Sequence, residues 1–456
     1  MTGRRTVVLQ VLSCVLFLIP ITSPASATSA AGGLTIRADL THVDSGRGFT
    51  GSELLNRMVS RSRARAARLY GRHSHPYGHP ATAVAAPGTV GGIGTEYLIH
   101  LAIGTPRPQR VALTLDTGSD LVWTQCASCA VCFDQPSQNF DPSASKTIRN
   151  VLCSDPICAN STDSLCPIRD DPCVYLDSYG DGSITGGNVL RDTFTFKGYG
   201  GGAAVVPEIS FGCGLFNKGI FDTNESGIAG FGRGPQSLPS QLKVGRFSHC
   251  FTPMLVDKPK NSPVFLGTPD DLTAHATGPV QSTPLKRNPV IPSINYYYLS
   301  LEGITVGSTR LPVTASAFAI NEEDGSGGTL IDSGTSFTTF PIAVYEQLRK
   351  AFVAQVPLPV DANSSSETGA DFLCFSAADA EKVAVPKLVF HLEGADMDLP
   401  RENYMPVING KLLCLIIDST KDNQTLIGNF QQQNMHIVYD VENSKLLFAP
   451  AQCDKL

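Results

Sequence analysis

Apolar and polar positions alternate along Tyr97-Leu98-Ile99-His100-Leu101-Ala102-Ile103-Gly104, and a looser copy runs through Tyr297-Tyr298-Leu299-Ser300-Leu301-Glu302-Gly303-Ile304. Both read as β-strands, because a period of two places successive side chains on opposite faces. Each precedes an acid that follows an apolar stretch: Thr114-Leu115-Asp116-Thr117-Gly118-Ser119 and, 216 positions later, Leu330-Ile331-Asp332-Ser333-Gly334-Thr335-Ser336. An apolar pair ending in glycine follows each acid, as Ile228-Ala229-Gly230-Phe231-Gly232 and as Leu426-Ile427-Gly428-Asn429-Phe430. A lone Asp-Thr-Gly is common in turns, where the acid caps backbone amides. The whole order occurring twice predicts a duplicated domain whose halves bring one carboxylate apiece to a shared centre. The halves meet near the proline-rich Pro284–Ser293.

Composition agrees with short strands and turns. The chain has 456 residues, 42 Gly and 31 Pro, with 17% charged residues, which predicts a mostly β protein of two structural units plus appended segments. Arg4 and Arg5, an apolar run from Val7 to Ile19 and the small-residue stretch Ala25-Ser26-Ala27 read as a secretory signal over 1–27. The run is short for a membrane anchor, so no membrane association is expected once it is removed.

Residues 28–88 differ from everything after them. They carry eight arginines, no lysine and three acids, in a chain whose net charge is −6. Ser52–Val59 continues into an Arg/Ala run with helical propensity. A basic arm for nucleic acid conflicts with the export signal and the acidic body, so 28–88 is expected to be a propeptide that lies on that body and masks its site. His73, His75 and His79 stand near its end, before the Ala86-Pro87-Gly88 linker.

Cys14 lies in the signal, leaving twelve cysteines: 126, 129, 132, 153, 158, 166, 173, 213, 250, 374, 414 and 453. The spacing of Cys126, Cys129 and Cys132 admits a metal site, but an oxidising compartment captures such thiols as disulfides, so six bridges and no metal are expected. Asn160, Asn224, Asn363 and Asn423 head glycosylation sequons. Gly198–Gly202 lacks the strand and helix context of a nucleotide loop. Asn321–Gly325 lacks the closing glutamate of a calcium loop, and His249, His391 and His436 have no ligand spacing. No cofactor is expected.

With Asp116-Thr117-Gly118-Ser119 and Asp332-Ser333-Gly334-Thr335 in repeated context, the chain resembles the pepsin-like aspartic proteases, in particular the plant branch typified by nepenthesin, over Glu96 to Cys453. The second motif has Ser333 where animal pepsins usually have Thr, which keeps the hydroxyl. The resemblance implies a bilobal fold, with an N-terminal lobe over 89–290, a C-terminal lobe over 291–456 and a cleft that takes an extended peptide as an added strand. It implies Asp116 and Asp332 as the catalytic pair, Thr117 and Ser333 tying the two loops together, Gly118 and Gly334 presenting N–H donors, and Ser119 with Ser336 or Thr335 bonding the carboxylates from outside. Tyr179, Gly180 and Asp181 match the family's flap, and Trp123 the aromatic that bonds the flap tyrosine. The cysteine-rich stretch between Trp123 and Tyr179 looks like the nepenthesin-type insertion, and a saposin-like insertion has no room. Cys374 is expected to pair with Cys414, and Cys213 with Cys453.

Two like carboxylates held together share one proton, so one can take a proton from water while the other donates to the carbonyl oxygen. The function implied is a secreted aspartic endopeptidase, acting at acid pH as a monomer in the apoplast or the vacuole. Its partners are peptide or protein substrates and its own propeptide. The alternative is a binding or glycosidase-inhibitor protein on the same fold, a role in which some plant relatives have lost catalytic residues.

Overall fold

The alternation at Tyr97–Gly104 folds as strand β2 (Tyr97–Ile103), whose neighbours on either side set the frame of the site. A computed structural model describes residues 35–456 apart from 75–95, 136, 162–163, 167, 179–182, 198–201, 220, 222–223, 257, 268–272, 274, 364–367 and 369. The expected signal peptide, the flap residues Tyr179, Gly180 and Asp181, and His75, His79 and Ala86-Pro87-Gly88 therefore lie outside the described residues.

Strand β1 (Ile36–His42), from the basic leader, lies antiparallel to β2, with Leu40 opposite Ile99, and antiparallel to the strand Ser262–Leu266, with Ile36 opposite Leu266. Its burial alternates because Ile36, Ala38 and Leu40 point into the core. The leader thus supplies an inner strand of the sheet. After it comes helix α1 (Gly51–Ser74), opened by a reciprocal capping box in which Thr50 N–H donates to the Glu53 carboxylate at 2.8 Å and Glu53 N–H donates to the Thr50 hydroxyl at 3.3 Å. Leu55, Met58 and Val59 on one face join the main core, and Ala66 and Leu69 pack in a cluster with Tyr296, Tyr298, Leu330 and Leu426. The same stripe carries Arg61 and Arg65, both fully buried. Arginine is almost never buried without partners, so the helix is placed by what those two side chains meet.

The internal repeat is visible as matched strand pairing. Strand β3 (Gln109–Asp116) runs parallel to Gly227–Gly230, which pairs antiparallel with β4 (Trp123–Gln125). Gly328–Ile331 runs parallel to Gln424–Ile427, which pairs antiparallel with Thr339–Pro341. In both halves a glycine at the end of the apolar strand (Gly230) or directly after it (Gly428) leaves room for a crossing loop. A Cβ on Gly230 would sit 2.3 Å from the Asp120 backbone, and one on Gly428 would sit 2.5 Å from the Phe337 carbonyl carbon. The architecture is the mostly β, pepsin-like fold of two related halves. The sheet of the first half also continues through Arg246–Cys250 into the last strands of the chain, Met435–Asp440 and Lys445–Pro450.

All twelve cysteines of the body are bridged. Cys374–Cys414 joins two paired strands, as expected. Cys213 pairs with Cys126 and not with Cys453, because β4 lies parallel to Ala203–Lys218 with Thr124 opposite Cys213. Cys453 instead bridges to Cys250, holding the end of the chain on the shared sheet. Cys129–Cys132, Cys153–Cys166 and Cys158–Cys173 close short loops of the insertion.

Candidate active site

Asp116 ends β3 and Asp332 follows the strand Gly328–Ile331, so each parallel pair delivers one carboxylate to the same point. Both are buried. The two turns repeat each other bond for bond. Gly118 N–H donates to Asp116 Oδ1 at 2.9 Å and Gly334 N–H to Asp332 Oδ1 at 3.1 Å. Three residues after each acid a hydroxyl reaches the other oxygen: Ser119 Oγ donates to Asp116 Oδ2, and Thr335 Oγ1 to Asp332 Oδ2 at 2.6 Å. The turns are also tied crosswise, Thr117 N–H donating to Ser333 Oγ at 3.1 Å and Ser333 N–H to Thr117 Oγ1 at 2.9 Å. A fully satisfied buried network of this kind fixes both acids.

Ser336 stands apart from that symmetry. Its hydroxyl donates to Glu96 Oε1 and not to Asp332, because Thr335 already holds the position that Ser119 holds in the first half.

Between the two acids lies a group that sequence reading did not single out. Arg65 of α1, fully buried, donates from Nη2 to Asp116 Oδ1 at 2.5 Å, from Nη1 to Asp116 Oδ2 at 3.1 Å and from Nε to Asp332 Oδ2 at 2.9 Å. Burial works against the guanidinium charge, but Asp116 and Asp332 outweigh it and raise its pKa above the ordinary value. The fit has no slack: a Cβ on Gly118 would lie 2.1 Å from Arg65 Nη2.

One helical turn earlier, Arg61 makes a second buried cluster. Its Nε and Nη2 donate to the two oxygens of Glu96 at 3.0 and 2.5 Å, and Nη2 also reaches Asp44 Oδ2 at 2.7 Å. His42 Nε2 stands 3.0 Å from Glu96 Oε2, and Arg57 Nε 2.7 Å from Asp44 Oδ1. Burial pushes the Glu96 carboxyl up, yet Arg61 and His42 prevail and hold it well below the usual carboxylate range. The signal for both clusters is the i, i+4 spacing of Arg61 and Arg65 with Leu69 four residues further on, a stripe only a docked helix explains.

Trp123 is buried in a cluster with Tyr175, edge-on to Phe133 and Phe221. Tyr175, four residues before the expected flap tyrosine, bonds Thr185 Oγ1 at 3.0 Å through its hydroxyl, and burial raises that hydroxyl's pKa. Of the sequon asparagines, Asn160, Asn363 and Asn423 are exposed, whereas Asn224 Nδ2 donates to the leader carbonyl of Val43 at 2.7 Å.

The chain is 41% identical over 415 residues to aspartic proteinase nepenthesin-1 of Nepenthes gracilis, covering 91% of this chain and 89% of that one. It belongs to the nepenthesin-like plant aspartic proteinases. Nepenthesin-2 of the same plant is 36% identical, covering 92% of this chain and 90% of the relative. Aspartyl protease family protein 2 of Arabidopsis thaliana is also 36% identical, covering 92% and 85%. Residues 97–268 match the family described as Xylanase inhibitor N-terminal and 296–450 the one described as Xylanase inhibitor C-terminal. Among solved structures, edgp superposes with a TM-score of 0.64 at 22% identity, covering 78% of this chain and 91% of that one. Basic 7S globulin from soybean gives 0.60 at 19%, covering 80% and 96%. These likenesses are to the fold alone. As a nepenthesin-like proteinase the protein is an aspartic-type endopeptidase, and its substrates are peptides or proteins. Among the described residues no helix is long and apolar enough to cross a membrane.

Proposed function

We propose that the protein is made as a secreted, inactive precursor of an acid-acting endopeptidase, with residues 1–27 as export signal and 28–88 as a prosegment whose Arg65 blocks the catalytic pair Asp116 and Asp332. The observation that carries this reading is the Arg65 guanidinium bonded to both carboxylates. Water and a peptide carbonyl have no access to acids held in that way. The body from 89 onward forms an N-terminal part to 290 and a C-terminal part from 291, each contributing one acid.

Once α1 leaves, two like carboxylates remain close together and retain one proton between them, which places the working range on the acid side. The ionised acid takes a proton from water as the water oxygen bonds to the carbonyl carbon, and the protonated acid gives its proton to the carbonyl oxygen. Collapse of the tetrahedral intermediate breaks the C–N bond as the nitrogen receives the proton taken from water, while one hydroxyl of the intermediate returns its proton to the other acid, which restores the carbonyl and the singly protonated pair. Thr117 and Ser333 hold the acids in register, and Gly118, Ser119, Gly334 and Thr335 orient the individual oxygens. Tyr179, Gly180 and Asp181, which match the family's flap, are assigned the role of covering the peptide.

A binding or inhibitor role, suggested by the description of the matching families, has no use for an intact acid pair under a removable mask. The experiment is acid treatment of the full chain with and without pepstatin, followed by N-terminal sequencing and assay on a denatured protein. The N-terminus is expected to move to about residue 80–97 as pepstatin-sensitive proteolysis appears. An unprocessed chain that is already fully active defeats the prosegment, and a processed chain with no proteolysis defeats the acid protease.

A further inference from the structure

We propose that Tyr439 is a positioning residue of the activated enzyme: its hydroxyl holds the Thr117 side chain and, through it, aims a hydrogen bond at Asp332. The inference rests on the catalytic pair proposed above and concerns groups of the body alone, none of which the leader carries away.

The tie between the two catalytic turns is asymmetric. Thr117 and Ser333 each accept a backbone N–H from the opposite turn, but their own hydrogens go to different places. Ser333 Oγ donates to the Leu115 carbonyl at 3.2 Å, whereas Thr117 Oγ1 points at Asp332 Oδ1 at 3.4 Å, which is long for a hydroxyl bond. A hydroxyl has one hydrogen and two lone pairs, so Thr117 Oγ1, having accepted from Ser333 N–H, has room for one more donor. A second donor fixes the direction of its own hydrogen.

Tyr439 is placed to be that donor. It lies on the strand Met435–Asp440, opposite Phe247 of the neighbouring strand. Its side chain is fully buried, stacked on Phe247 with ring centroids 4.6 Å apart and edge-on to Tyr297 at 4.6 Å. Tyr297 ties that packing to both acids. Its hydroxyl donates to the Phe231 carbonyl at 2.9 Å, and Phe231 N–H donates to the Asp116 carbonyl at 2.7 Å. Its own carbonyl accepts at 3.1 Å from the N–H of Ile331, the residue before Asp332. The Tyr439 hydroxyl faces the Thr117 side chain and the Asp332 carboxylate, yet closes no hydrogen bond in the precursor. Burial, and then Asp332, hold its pKa above the ordinary tyrosine value against the smaller opposing effect of Thr117, so it remains a donor throughout the acid range. The other titratable groups beside it are Tyr297 and His249, whose ring centroid is 5.8 Å away. A buried hydroxyl without a partner is destabilising, and phenylalanine would fill the same space, so the orphan calls for a use. In the precursor Arg65 already bonds both Asp332 oxygens, Nη2 to Oδ1 at 3.1 Å and Nε to Oδ2 at 2.9 Å. Its departure leaves Oδ1 to Thr117, and the Tyr439 hydroxyl closes onto Thr117 Oγ1.

The test is Tyr439→Phe, which keeps the ring and removes only the hydroxyl. The variant is activated in trans and compared with wild type on a peptide that wild type cuts at one bond. Its kcat is expected to fall about tenfold while KM stays within about twofold. A donor aimed at a carboxylate favours the ionised form, so its loss is expected to move the acid limb of the kcat profile toward neutral pH by about half a unit. In a Thr117→Val background, which has no hydroxyl to hold, the same change is expected to add nothing to the loss of kcat. The Tm of the unprocessed chain is expected not to fall, because the hydroxyl makes no bond there. A kcat profile that superposes on wild type overturns the proposal. A loss of kcat that is equal at every pH, or that adds in full to that of Thr117→Val, overturns the route through Thr117 to Asp332. A fall in the Tm of the unprocessed chain beside the loss of kcat assigns the hydroxyl to packing instead. Failure of the wild-type enzyme to cut any peptide is a failure of the protease reading itself.

Discussion

Thr117 and Ser333 exchange backbone-to-hydroxyl hydrogen bonds in both directions, at 3.1 and 2.9 Å, so each half of the duplicated chain holds the catalytic turn of the other. Replacing Ser333 by Ala removes the acceptor of Thr117 N–H in a buried site and costs about 1–3 kcal/mol of stability. It also loosens the register of the two acids, for which a roughly tenfold to hundredfold fall in kcat with little change in KM is expected. Ser333→Thr keeps the hydroxyl and is expected to retain most of the activity. Calorimetry and steady-state kinetics on the activated variants check both, and a Ser333→Ala enzyme with unchanged kcat contradicts the role.

The second prediction concerns the pH at which the mask lifts. Docking holds Glu96 well below the usual carboxylate range, through Arg61 and His42 against the opposing effect of burial. A carboxyl whose pKa is depressed in the docked state contributes binding that is fully present above its free pKa, about 4.3, and is lost as the pH falls below that value. Acid conversion of the precursor is therefore expected to set in below about pH 4.5. Glu96→Gln removes this contribution at every pH and leaves Arg61 buried without that partner. Its conversion midpoint, read from the proportion of shortened chain, is expected to move toward neutral pH by about one unit. An unmoved midpoint contradicts the latch.

The third prediction is a limit on acid stability. His249 is fully buried on the strand Arg246–Cys250, stacked 4.0 Å from Phe251, and burial with a smaller contribution from His436 depresses its pKa to about 3. His436, on the neighbouring strand, is depressed by burial to about 4. Unfolding lets each imidazole take a proton below about pH 6.5, so stability is lost as the pH falls from there toward the folded values. His249→Phe keeps an aromatic in the stack and removes the titration. It is expected to raise Tm at about pH 4 relative to wild type, with a much smaller change at about pH 8. Equal changes at the two pH values contradict the assignment.

The repeat was legible because its elements are local. An acid, a hydroxyl and a glycine at fixed spacing form one turn, and the apolar-apolar-glycine run is one strand beside it. The tie between Thr117 and Ser333 follows from duplication. What was hidden depends on which face of a helix meets the body. Eight arginines of the leader look alike in sequence, and only docking separates Arg61 and Arg65, buried on acids, from exposed Arg63. A single acid before a strand, as at Glu96, carries no pattern of its own in the sequence. The resemblance admits Ser336 or Thr335 for the outer bond to Asp332, and the structure gives it to Thr335, three residues after the acid as Ser119 is after Asp116. The Cys213–Cys453 expectation failed for a related reason, since parallel pairing between distant segments placed Cys213 beside Cys126.

The central claim is that Asp116 and Asp332 act as one catalytic unit. Its most direct test is the turnover of a denatured protein by the acid-activated chain carrying Asp116→Asn or Asp332→Asn, with the activated form produced in trans so that processing is not limiting. Either single substitution is expected to lower kcat by at least about a thousandfold, because the two acids are interdependent. A variant of either that retains activity within about tenfold of wild type contradicts the shared centre.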